Sequence, residues 1–292
     1  TSRRPTRQHF PSPMQARINT FQNGHNRAQR IAETRPAPPA DDELAECIAP
    51  NWAYSFDVDA VEGIDRFRRR IREAEYAVDR VKAWSHILRD FTSYRNAKIA
   101  PHVAVINMSA ATDCVNLGTK YCQVDKMTCF AARNERDFPM PLHFRRKQEI
   151  IWSYLDPVTW ADAFRLHVER KDNSVTTIRL NEAGDFSSRS DILKVTEIAR
   201  RLPEFDIYTY SASSWLNWNE ADGFTVNRSN DGDYGHRRYK VVDDVEEIPA
   251  GPEHVLCPYD ATDGDILCGD CKLCINENGP DIYVTKFSGS NQ

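Results

Sequence analysis

The sequence predicts an α/β fold built on a parallel sheet, with cysteine-rich metal-binding loops and a long N-terminal helix. Three observations predict it. First, "VTTIRLN" (Val175 to Asn181) and "FDIYTYS" (Phe205 to Ser211) alternate as strands, and "RSDILKVTEIARRL" between them has helical periodicity. A strand, a helix and a strand within 37 residues make a βαβ unit, whose strands run parallel. Second, Ile64, Phe67, Ile71, Ala74, Val78, Val81 and Leu88 step mostly by threes and fours. That spacing predicts one amphipathic helix from Val61 to Phe91, with "RFRRRIRE" on its solvated face. Third, seven of the eight cysteines fall into two groups, one on each side of the βαβ unit.

The chain divides into four segments. Residues 1–40 carry seven arginines, no lysine and one acid, a net charge of +6, which leaves −11 on the remainder of a chain at −5. This segment holds six prolines, with "RPAPP" as a stiff linker, and reads either as a basic arm for nucleic acid or an acidic surface within a protein assembly, or as a disordered, solvated tail. Residues 41–100 form a helical extension, 101–250 the α/β core with the first cysteine loop, and 251–292 a C-terminal cysteine module. In the core, "HVAVINM" is a strand leading into the loop from Cys114 to Cys129. "HFRRKQEIIWSYL" and "PVTWADAFRLHVERK" follow as helices, the second opened by Pro157. After the βαβ unit, short strands and loops fill Trp215 to Gly251, and "DIYVTKF" is a last strand. No apolar run approaches the roughly 18 residues of a membrane span, and "TSRRPTRQHFPSP" lacks the apolar stretch of a secretory signal. The expectation is a cytoplasmic protein with no membrane partner, and the oligomeric state is left open.

In a reducing compartment, clustered cysteines read as metal ligands before they read as disulfides. Cys257, Cys268, Cys271 and Cys274 supply four thiols, three of them in "CGDCKLC", and Cys257 precedes Pro258. Ferredoxin-type ligation also uses cysteines spaced by two residues plus a remote cysteine followed by proline, so the set suits a [4Fe-4S] cluster. Zinc is the alternative, since four thiolates also close a tetrahedral site. Cys114, Cys122 and Cys129 form a looser group. Three thiolates on a second cluster leave one iron open to a substrate or cofactor. Joined instead by Cys47 or a later cysteine, they would make a structural zinc site. Cys47 on its own reads as a small apolar side chain.

Ligands in parallel α/β folds gather at the carboxyl ends of strands. Arg179, Asn181, Glu182, Gly184 and Asp185 follow the first strand of the βαβ unit, with Ser188 at the next helix start. Tyr210 ends the second strand. These seven residues are the candidate cofactor-binding set. The alternative is that Asp185 or Ser188 caps the helix and Arg179 pairs with Glu182.

The stretch "NEAGDFSSRSDILKVTEIARRLPEFDIYTYS", the upstream "CFAARNE" and the closing "CP...CGDCKLC" resemble the phage gene-product-eighty-eight family over residues 103 to 287. The resemblance implies that order of elements and a host-cell cytoplasmic location, and no reaction. More distantly, a cysteine loop after one strand and an Ala183-Gly184-Asp185 turn after the next are similar to radical S-adenosylmethionine enzymes. That likeness implies a partial parallel β/α barrel-like core, with S-adenosylmethionine held at the turn. The chain departs from the pattern in lacking C-x3-C-x2-C and in having Asp185 for a glutamate.

Two functions follow. One is an iron–sulfur protein with a redox or radical activity. The other is a zinc- or cluster-stapled module acting on nucleic acid or within a viral assembly. The arm supplies a first test. Removing residues 1–39 is expected to leave the melting temperature of the rest unchanged, because the segment is too poor in apolar residues to join a core. If it lies on nucleic acid, the truncation also flattens the salt dependence of binding. Salt-independent behaviour of the full chain towards both DNA and RNA would remove nucleic acid as the arm's partner.

Overall fold

The computed structural model describes residues 56–285, apart from 95–97, 100–101, 123, 125–126, 172–173 and 230–231. The basic arm and Cys47 lie outside the described residues. Seven strands form one sheet: β1 (Val103–Ile106), β2 (Thr177–Leu180), β3 (Asp206–Ser211), β4 (Thr225–Arg228), β5 (Arg237–Val242), β6 (His254–Leu256) and β7 (Asp281–Thr285). Their order is β1-β2-β3-β4-β5-β7-β6, and every neighbouring pair is parallel. The βαβ unit expected from the sequence is β2, α6 (Arg189–Arg201) and β3. β6 and β7 join the same sheet as the core strands.

A parallel sheet is buried on both faces, so each strand must be apolar or paired on both. Ala104, Ile106, Ile178, Leu180, Ile207 and Val226 face the helices and share one core with them. The helices are α1 (Ile64–Glu75), α2 (Arg80–Phe91), α3 (Phe130–Asp137), α4 (Pro139–Tyr154), α5 (Pro157–Lys171) and α6. Trp160 and Phe164 of α5 stack at 5.1 Å within it. The alternate residues Val103, Val105 and Tyr208 face the other way. There they meet the C-terminal segment, with its short helices α7 (Pro258–Ala261) and α8 (Cys268–Cys271). That segment touches β1 and β2 at one side and Ile282 of β7 at the other. A sheet whose inner face is filled from first strand to last is compatible with the partial barrel expected.

The single long helix is corrected to two. α1 stops at Glu75 and α2 restarts at Arg80, whose N-cap Asp79 accepts from the Lys82 N–H. Val78, counted as a core position in the long helix, is 55% exposed. Spacing carried across the break because Val78 keeps the period while the chain turns there, and the two helices pack against each other. Arg68 and Arg70, on the basic face of α1, pair with Asp59 at 2.8 Å and Asp90 at 2.7 Å. Among the described residues no helix is long and apolar enough to cross a membrane.

Candidate functional site

The C-terminal cysteines lie against the inner face of the sheet. Cys257 follows β6, and its N–H donates to the Tyr283 carbonyl of β7 at 2.7 Å. Cys268 and Cys271 bound the one-turn helix α8. Lys272 then takes a left-handed conformation (φ 54°), which reverses the chain and brings Cys274 inward. Strand residues fix this backbone from below. Asn227 Nδ2 donates to the Cys274 carbonyl at 3.0 Å, Thr225 Oγ1 to the Ile275 carbonyl at 3.0 Å, and Arg237 Nη1 to the Leu273 carbonyl. From the other side, the Cys268 N–H donates to the Lys98 carbonyl at 3.0 Å.

Cys257, Cys268, Cys271 and Cys274 all line one cavity of about 30 Å³, with Val103, Tyr208 and Ile282 among the other walls. Burial pushes the Cys257 and Cys268 thiols up. Cys274 is pushed up to about 12, by burial first, against the hydrogen bond from Tyr210 and the nearby charge of Arg179. Three cations border the set: Lys98 Nζ lies 3.8 Å over the Tyr259 ring, Arg179 sits 5.0 Å over Tyr210, and Arg237 is buried beside Leu273. As the side chains stand, no group of three or more His, Cys, Asp or Glu among the described residues is arranged to hold a metal ion.

The first cysteine group lies at the opposite, carboxyl end of β1 and β2. Cys122 and Cys129 both act electrostatically on Cys114, whose thiol is pushed up by burial and then by the Asp185 carboxylate. Carboxylates pin this loop to the helices. Glu135 accepts from the Ala111 and Thr112 N–H groups at 2.8 Å each and pairs with Arg145 at 2.8 Å. Asp113 takes a two-pronged contact from Arg146, at 2.6 and 2.8 Å.

Asp185 joins the loop to the sheet. Its Oδ1 accepts from the Phe186 N–H at 2.7 Å and the Ser211 hydroxyl at 2.6 Å. Its Oδ2 accepts from Asn116 Nδ2 at 2.8 Å and the Ala212 N–H at 2.7 Å. Burial pushes its pKa up, and the Ser211, Ala212 and Asn116 donors pull against that rise. It is not a helix cap. Ser188 takes that position, its N–H and hydroxyl both donating to Asp191. Gly184 has φ 76°, and a Cβ there would stand 2.6 Å from the Ser109 carbonyl oxygen, so the turn needs a glycine for close approach.

The seven expected cofactor-binding residues therefore separate. Arg179 and Tyr210 face the C-terminal cysteines. Gly184 and Asp185 stay with the first loop, as does Asn181, whose Oδ1 accepts from the Met108 N–H at 3.0 Å. Arg179 lies over the Tyr210 ring, and the electrostatic influence of Glu182 still reaches it. Arg237, Asn116 and Glu149 were missed from sequence. Arg237 and Glu149 sit in ordinary charged stretches, and only the fold buries them.

A family model described as gene product 88 matches residues 89–277, a span that includes all seven described cysteines. The chain belongs to the gene product 88 family. No curated protein and no solved structure matches it. The family match ends within the segment that fills the inner face, so both cysteine groups and the Asp185 junction are family territory.

Two predictions follow from this junction. In Asp185→Asn the amide nitrogen must face either the Phe186 or the Ala212 N–H, leaving a buried backbone donor without an acceptor. Denaturant unfolding is expected to show a loss of about 3 kcal/mol. A loss within about 1 kcal/mol, the size of a cap substitution, would contradict the junction role. Glu149 supplies the other. Burial first, then the Asp113 carboxylate, pushes its pKa up to about 8. Because the folded value lies above the unfolded one, the stability it contributes is complete below about pH 4.5 and is lost as pH rises through about 8. Glu149→Gln should match the wild type at pH 4 and exceed it at pH 9, by at most about 1.4 kcal/mol per pH unit of the window. Parallel stability curves for the two proteins would refute this.

Proposed function

We propose that this protein is an iron–sulfur protein whose C-terminal cysteines hold a redox centre on the inner face of the sheet. The observation that carries the reading is the convergence of Cys257, Cys268, Cys271 and Cys274 on one cavity. The donor set fits the group by its chemistry. Four soft sulfur ligands are available, and no carboxylate lines the cavity. Cys257 and Cys274 come from segments braced on β7 and β4, which holds the backbone around the cavity in place. When bound, such a cluster supplies one-electron transfer. The chain's own residues shape the site: Tyr210 donates a hydrogen bond to the Cys274 sulfur, Arg179 lowers the cost of its negative charge, and Val103, Tyr208 and Ile282 shield it from water.

The partial-barrel reading belongs to the same proposal, because an inner face filled by a cofactor-bearing segment is how an open barrel keeps its parallel strands buried. S-adenosylmethionine forms no part of it, since the four donors on Asp185 occupy the carboxylate that the likeness would give to the ligand.

Metal and sulfide analysis with an absorption spectrum of anaerobically purified protein tests the reading. The expected result is a brown protein containing iron and acid-labile sulfide, and Cys271→Ser should lose about one cluster's worth of iron and melt earlier, because metal-binding energy in a loop-rich segment is largely folding energy. Colourless protein with one zinc per chain would replace the cluster by a structural metal. Metal-free wild type with unchanged melting in Cys271→Ser would end both.

A further inference from the structure

Arg237 is 1% exposed and ranks among the largest fully buried side chains. Its Nη1 donates to the carbonyl of Leu273, the residue before Cys274. Its Nε and Nη2 are buried without a hydrogen-bond partner. A guanidinium does not deprotonate in a protein, and burying an unpaired charge costs several kcal/mol. Such a group calls for a buried anion.

The carboxylates nearby do not supply it. Asp281 accepts from the Arg238 N–H at 2.7 Å and stands 3.9 Å from Arg228 and from His254. Glu277 has its side chain half in solvent and faces His236 at 3.9 Å. The group whose ionised form would act most on Arg237 is instead Cys274. Space points the same way. A Cβ on Gly279 would stand 2.5 Å from Arg237 Nη1, so the absence of a side chain at 279 makes room for the guanidinium under the cysteine segment.

We propose that Arg237 is the built-in counter-charge of the C-terminal cysteine centre, a positioning residue whose free donors face the sulfurs once they are thiolates. The inference rests on the metal-binding reading above. Four thiolates around a doubly charged metal, or around a cluster core of the same charge, leave a net double negative charge. Arg237, with Arg179 and Lys98 at the other sides, offsets it in a place water does not reach. In the metal-free chain the same guanidinium is an unpaired buried cation.

That contrast sets the test. Arg237→Gln and Arg237→Lys are compared with wild type in metal-loaded and metal-stripped forms, by chelator competition, thermal melting and, where the metal is iron, potentiometric titration. Arg237→Gln is expected to hold metal about tenfold more weakly, in the range of outer-sphere substitutions. Its stripped form melts no earlier than stripped wild type, since the substitution removes an unpaired charge. The iron centre shifts to a lower reduction potential, because a positive charge that favours the added electron is gone. Arg237→Lys recovers part of both changes. Equal loss of stability in loaded and stripped Arg237→Gln would show a purely structural side chain and overturn the proposal. So would an unchanged potential and metal affinity. If Arg237→Gln does not fold, stripped Arg237→Lys against loaded Arg237→Lys gives the same comparison. Wild type that binds no metal removes the reading beneath the proposal as well, whereas wild type that binds metal with an indifferent Arg237→Gln sinks the counter-charge alone.

Discussion

The fold depends on covering the second face of an all-parallel sheet. Helices bury one face, where Ile178, Leu180, Ile207 and Val226 meet the packed aromatics of α5. The other face has no helical layer. Its Val103, Val105, Tyr208 and Tyr210 are covered by a segment of two one-turn helices and a 3-10 turn, too short to stand alone. Side chains of β4 and β5 therefore hold it by its carbonyls: Thr225, Asn227 and Arg237 donate to Ile275, Cys274 and Leu273. The four C-terminal cysteines sit in this cover, where irregular backbone is already braced from the sheet. Metal bonds there would add what the short helices lack, a covalent-strength cross-link within the cover itself.

A second constraint acts at the carboxyl end. The first cysteine loop has almost no regular structure, yet Asn116 within it is 1% exposed. A buried loop must find partners for its backbone groups. Glu135 of α3 accepts from two of the loop's N–H groups, while Asp113 ties it to Arg146 on α4 and the Asn116 side chain ties it through Asp185 to the β3 end. The Asn116 amide bridges Asp185 and Ser213, so the loop, the Gly-Asp-Phe turn and the end of β3 behave as one hydrogen-bonded unit. Polar networks of this kind are stable only when complete. Glu149, beside the same loop, is the exception: one carboxyl oxygen is buried without a donor. Its raised pKa is the physical consequence, since a protonated carboxyl tolerates that place better than an anion.

Much of this was legible in the sequence because periodicity records burial. The strands β1, β2, β3 and β7 and the helices α4 to α6 appear where alternation or helical spacing says they should. β6 was not seen, because three residues with intermediate burial leave no alternation to read. The long helix failed for a related reason, since spacing is blind to a turn that preserves phase. At the site, residue chemistry grouped Cys257 with the later trio, and the four residues line one cavity. Arg179 and Tyr210, read as strand-end residues of one pocket with Asp185, instead face the C-terminal cysteines, because strand alternation points them inward. Arg237 carried no signal, because an arginine in "HRRYK" reads as solvated unless the fold is known to bury it.

The two cysteine groups sit in opposite fields, and this asymmetry limits what each can hold. Around the C-terminal set stand Lys98, Arg179 and Arg237, with the Tyr210 hydroxyl directed at a sulfur. Around the first set stands a buried carboxylate, Asp185, which raises both Cys114 and Cys122. In a weakly polarisable interior a unit charge a few ångströms away is worth far more than in water. A centre that carries net negative charge is therefore favoured on the inner face and disfavoured at the carboxyl end. Three thiolates beside Asp185 would amount to a fourfold negative charge, so a cation bound there would have to offset more charge than one on the inner face, or leave some of its thiols protonated. The same residue type, gathered twice in one chain, thus sits in two different electrostatic surroundings.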